Sequence, residues 1–127
     1  MSYKLTILEK PTYLHAIVTG ENTKENVARY LEEILRECKA RNCFQILIEE
    51  HLEGPRLGTT DVFQIAAIGS DHAQGRFKVI AYVDANADGK LMKFAETVAV
   101  NRGVPVRIFP SVSDAEKWLL EQDRRRA

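Results

Sequence analysis

Three short, nearly continuous apolar runs, Phe44–Ile48, Phe77–Val83 and Val104–Phe109, are separated by longer stretches with helical periodicity. Runs that are apolar on both alternating faces suit strands buried on both sides, as in a parallel sheet. Parallel neighbours need a crossover connection, and a helix is the usual one. This alternation predicts an α/β chain built around a mostly parallel sheet.

The rest of the chain completes that pattern. Tyr3 to Leu8 alternates apolar and polar residues and predicts a strand. The turn Glu9-Lys10-Pro11-Thr12 is short enough to join it to a second strand, Tyr13 to Thr19, as an antiparallel hairpin. Asn22 followed by Glu25 reads as a capping box, opening a helix on which Val27, Leu31, Ile34, Leu35 and Cys38 form one stripe, ending near Asn42. Glu49 to Gly58 reads as a polar loop. Thr59-Thr60-Asp61 then caps a second helix through Val62, Phe63, Ile65, Ala66 and Ile68, which Gly69 to Gly75 interrupts. A third helix is expected from about Asp88 to Arg102, stopped by Gly103. Ser113 with Glu116 reads as a capping box for a last helix carrying Trp118 as a core anchor and Leu119. The order is ββαβαβαβα, one domain over residues 1–127, with a mixed, mostly parallel five-stranded sheet packed by four helices.

Length and charge narrow the function classes. A chain of 127 residues can bury a sizeable core without a disulfide or a metal to hold it. Eighteen basic residues balance eighteen acidic ones. Nucleic-acid binding needs a basic footprint that displaces counterions, and adhesion to an anionic membrane needs one too, so neither is expected. No stretch approaches the ~20 apolar residues of a membrane helix. Met1-Ser2-Tyr3-Lys4 has no apolar run of the signal-peptide kind. Cys38 and Cys43 do not make a disulfide framework, and no further Cys or His stands at metal-finger spacing, so both are read as reduced thiols. These features lead to an expected cytoplasmic location.

Several segments carry residues that chemistry could use. Asp84-Ala85-Asn86-Ala87-Asp88-Gly89 matches the opening of a calcium loop, with Leu91 at the apolar eighth position, but the twelfth position is Ala95, where a bidentate carboxylate is needed. The segment reads instead as a turn and helix start, and no metal is expected. Glu49, Glu50 and His51 follow the third strand, at the carboxyl edge where open sheets place ligands. In an extended segment three successive residues do not share a face, so they read as solvated loop charges. His15 and His72 have no partner visible in the sequence. Arg124-Arg125-Arg126 suits the negative end of a helix. There is no G-x-S-x-G elbow, no Walker loop and no G-x-G-x-x-G, so neither an enzyme nor a cofactor is expected.

In layout, nearly the whole chain resembles the STAS domain (sulfate transporter and anti-sigma-factor antagonist), and more closely the bacterial proteins similar to stage II sporulation protein AA. Phe94 to Phe109, with Asn101-Arg102-Gly103-Val104-Pro105, resembles their third helix and last strand. Ser113-Asp114-Ala115-Glu116-Lys117-Trp118-Leu119 resembles their final helix. The resemblance implies a non-catalytic regulatory domain that binds a protein partner and is switched by phosphorylation of Ser or Thr at the start of the second helix. The matching segment here is Leu57-Gly58-Thr59-Thr60-Asp61, with Thr59, Thr60 and Asp61 as the switch or partner-binding residues. A phosphate there would meet free backbone N–H groups and a positive helix end, while Asp61 would repel it. The alternative is a carrier of a small apolar molecule or lipid, with a pocket under the second and third helices. A homodimer is left open. The segment from Glu50 to Asp61, with the first turns of the helix after it, is the expected functional surface.

Overall fold

The computed structural model of the protein describes residues 2–55, 57–73, 75–84 and 89–126. The elements are β1 (Tyr3–Glu9), β2 (Leu14–Glu21), α1 (Lys24–Arg41), β3 (Gln45–Glu53), α2 (Thr59–Ala73), β4 (Val79–Asp84), α3 (Gly89–Asn101), β5 (Val106–Phe109) and α4 (Val112–Arg126). The strands lie side by side in chain order, β1-β2-β3-β4-β5. β1 runs antiparallel to β2, with Tyr3 opposite Gly20 and Glu9 opposite Leu14. The remaining pairings are parallel. The expected α/β architecture is therefore the observed one.

Chain order decides which helix covers which face. From β2 to β5 each crossover steps the same way, and right-handed crossovers then place α1, α2 and α3 on one face. On that face Leu14, Ala16, Val18, Ile46, Ile48 and Leu52 meet Val27, Tyr30, Ile34 and Cys38 of α1. α4 returns over the other face, where Ala115 and Leu119 pack on Leu47, Val79, Ala81 and Val83. Trp118 is half-buried against Phe109, with ring centroids 5.3 Å apart, so it flanks this second cluster while Ala115 and Leu119 anchor it. Gly20 lies in β2 because a Cβ there would stand 2.6 Å from the Ser2 carbonyl oxygen, and its φ of 133° suits glycine alone.

All three expected caps lie elsewhere. Thr23, not Asn22, caps α1: its side-chain oxygen accepts from the Asn26 N–H at 3.1 Å. Asn22 instead donates its side-chain amide to the Pro55 carbonyl. Ser111, not Ser113, caps α4, accepting from the Asp114 N–H at 3.2 Å. The Gly58 carbonyl accepts from the Val62 N–H at 3.0 Å, which makes Gly58 the residue preceding α2 and puts Thr59, Thr60 and Asp61 inside its first turn. Gly69 does not break α2, which continues to Ala73. A glycine weakens a helix by only about 1 kcal/mol, and the packing of α2 on α1 and α3 outweighs that.

Candidate functional site

The largest departure from the sequence reading is in β3. The strand does not stop at Ile48 but runs on to Glu53, because β2 continues beside it and pairs Ile17 with Glu49, Val18 with Glu50 and Thr19 with His51. The polar loop therefore begins at Gly54. Strand alternation then sends Glu50 to the face covered by α1, and Glu49 and His51 to the other.

Glu50 is 4% exposed. The hydroxyls of Tyr30, from α1, and Tyr82, from β4, both donate to its Oε2. The two hydroxyl oxygens lie 2.5 Å apart. Burial, followed by the charge of Asp84, the register partner of Glu50 on β4, pushes the Glu50 carboxyl up to about 7, although the two phenol hydrogen bonds oppose the rise. Burial also lifts both phenols well above their ordinary range. Tyr3 packs edge-on against Tyr30, with ring centroids 6.3 Å apart, and donates to Glu33 at 2.6 Å. The arrangement is a satisfied polar cluster inside an apolar layer, able to hold or release one proton near neutrality.

On the opposite face Glu49 bridges two imidazoles. His15 Nε2 lies 2.8 Å from its Oε1 and His51 Nε2 lies 2.5 Å from its Oε2. Burial acts to raise the Glu49 carboxyl, but the hydrogen bonds from His51 and His15 outweigh it and hold the group below its ordinary value. Among the described residues no group of three His, Cys, Asp or Glu side chains is arranged to hold a metal ion. The centre of the calcium-like loop, residues 85–88, and the His72 side chain lie outside the described residues.

Thr59 and Thr60 are exposed, and Asp61 is half-buried with its carboxylate 3.8 Å from Lys24 Nζ. Lys24 also donates to Gln64, so the start of α1 is tied to the first turns of α2. One turn farther along α2, Phe63 stacks on Phe94 of α3, with centroids 6.3 Å apart and planes 30° from parallel. The two residues remain 39% and 37% exposed. The Arg102 guanidinium lies 5.6 Å from the Phe63 ring centre. Lys90, Lys93, Phe94 and Thr97 border a groove of about 530 Å³ beside this pair.

No protein-family model matches the chain, and no curated protein matches it. Among solved structures it is similar to an uncharacterized protein from the DUF3478 family with a SpoIIAA-like fold, from Shewanella loihica PV-4. The likeness has a TM-score of 0.55 at 21% identity and covers 93% of this chain and 94% of that one. The fold is SpoIIAA-like.

Within a SpoIIAA-like fold, the sequence-derived site residues fall into separate places. Thr59, Thr60 and Asp61 begin α2 beside Lys24, Glu50 is inside the core, and Glu49 with His51 lies across the sheet. Two groupings escaped the sequence reading, the Tyr30–Glu50–Tyr82 cluster and the Phe63–Phe94 pair. Period-two alternation from Phe44 through Glu53 would have placed Glu50 inward. Nothing local in the sequence pairs residues as far apart as Phe63 and Phe94. Among the described residues no helix is long and apolar enough to cross a membrane.

Proposed function

We propose that the protein is a non-catalytic regulatory domain of the STAS type that binds a protein partner on the face formed by α2 and α3. The observation that carries this reading is the exposed Phe63–Phe94 stack with Arg102 over one ring. Two stacked aromatic rings left partly in water on adjoining helices form one contiguous apolar patch, and aromatic and arginine side chains dominate protein contacts. Lys93, with 73% of its side chain exposed and its ammonium 3.0 Å from Glu96, lies at the rim. The partner that fits is a protein inserting an apolar side chain between acidic ones. Thr59 and Thr60 begin the same helix, so a charge added there changes the edge of this surface.

The small-ligand alternative calls for an enclosed apolar space beneath α2 and α3. The groove at Phe94 is open to solvent and has Lys90, Lys93 and Thr97 as its other borders, which favours a macromolecular contact. The partner reading is tested with Thr59→Glu/Thr60→Glu against Thr59→Ala/Thr60→Ala, after confirming equal melting temperatures. The acidic pair is expected to lose a partner that the wild type and the alanine pair retain. Retention by all three proteins contradicts the placement of the switch at the start of α2.

A further inference from the structure

The carboxyl end of α1 closes with a left-handed residue, Asn42 at φ 50°. The Asn42 N–H donates to the Lys39 carbonyl at 3.2 Å, and the Cys43 N–H donates to the Cys38 carbonyl at 3.0 Å. This pair of bonds is the Schellman closure, in which the two residues joined by the longer-range bond bring their side chains together. Here both are cysteines. A 3.0 Å bond between their backbone groups, with standard bond lengths, holds the two Cα atoms within about 7 Å. Disulfides span ~4.4–6.8 Å between Cα atoms, so little or no backbone movement is needed. Both side chains also join the same apolar cluster, Cys38 within it and Cys43 against its edge.

The two sulfurs differ in access. Cys38 is 0% exposed, and burial, with Cys43 beside it, pushes its thiol up to about 12. Cys43 is half-buried and borders a polar cavity of about 390 Å³ shared with Lys10, Arg41, Gln45 and Asp123.

We propose that Cys43 and Cys38 form a reversible dithiol–disulfide couple, in which a hydroperoxide entering this cavity oxidises Cys43 first and Cys38 then closes the bridge. In the first step the Cys43 sulfur attacks the peroxide oxygen. An S–O bond forms, the O–O bond breaks, and the leaving alkoxide or hydroxide takes the thiol proton, giving a sulfenic acid and an alcohol or water. In the second step the Cys38 sulfur attacks the sulfenic sulfur. The S–S bond forms, the S–O bond breaks, and hydroxide leaves as water with the Cys38 proton. The dithiol gives up two electrons and the peroxide accepts them. The raised Cys38 thiol would be a poor nucleophile towards a dissolved oxidant, but here the attack is within one turn and needs no encounter. A low-molecular-weight thiol returns the pair to the reduced state by exchange.

The test treats the reduced, folded, full chain with hydrogen peroxide, blocks remaining thiols with iodoacetamide, and maps tryptic peptides by mass spectrometry. Trypsin cleaves after Lys39 and Arg41, between the two cysteines, so a bridge joins two peptides. The expected result is joint loss of both thiols into a within-chain Cys38–Cys43 link, with both restored by dithiothreitol. Cys43→Ser should leave Cys38 reduced, and Cys38→Ala should leave a Cys43 sulfenic acid that dimedone traps. Circular dichroism checks that Cys38→Ala stays folded, and the wild-type link stands as evidence without that variant. The proposal is overturned if the folded wild type keeps both thiols alkylatable. It is equally overturned if Cys43 passes to sulfinic acid or links only to a second chain.

Discussion

The Tyr30 hydroxyl, on the first helix, donates to the Glu50 carboxyl on the third strand, and both groups are out of contact with water. An acid in that position is protonated more readily in the folded chain than in the unfolded one. Its folded-state value is about 7 against an ordinary 4.5, so the stability it contributes is complete below 4.5 and is lost as pH rises through 7. The shift corresponds to a loss of up to about 3 kcal/mol. Urea unfolding of the wild type at about pH 5 and about pH 8 should show this decline, and Glu50→Gln should flatten it. Equal slopes in both proteins would mean that Glu50 does not titrate in this window.

Removing one phenol donor isolates its share. Tyr30→Phe removes one of the two phenol donors to Glu50 and should cost about 1–3 kcal/mol, the range for a buried group that loses a hydrogen bond. The pH dependence should also move upward, because a hydrogen bond that lowered the Glu50 value is gone. A variant as stable as the wild type, with an unchanged profile, would contradict the cluster.

The start of the last helix offers a paired comparison. Ser111→Ala should lower stability by about 1 kcal/mol, the usual loss for a helix cap. Ser113→Ala should change it little, since Ser113 is exposed within the first turn. The reverse order in thermal melts would restore the cap to Ser113.

These caps show where the sequence was legible and where it was not. The apolar runs and helical stripes located every element, because burial of one face imposes a period that the chain must display. Cap positions slipped because several Ser, Thr and Asn residues stand together, and tertiary packing decides which one leaves helical geometry. Glu49 to Glu53 looked like a loop because its charges hid a strand. Pairing with β2 supplies the backbone partners, and the Glu49 and Glu50 carboxylates find partners on their own faces. Asn42 was readable as the end of α1, whereas the closeness of Cys38 and Cys43 depends on the turn that Asn42 makes.

The claim that α2 and α3 form the partner surface is tested most directly by placing a photoreactive amino acid at position 63 and, in a second protein, at position 6. Position 6 lies on β1 and faces away from those helices. Each protein is irradiated in its native cell and the adducts are sized and identified by mass spectrometry. The account predicts one protein adduct at position 63 that is missing at position 6, and that falls at least about tenfold with Phe94→Ser, the loss expected of an interface anchor. Equal adducts at both positions, or an adduct at 63 unchanged by Phe94→Ser, would contradict it.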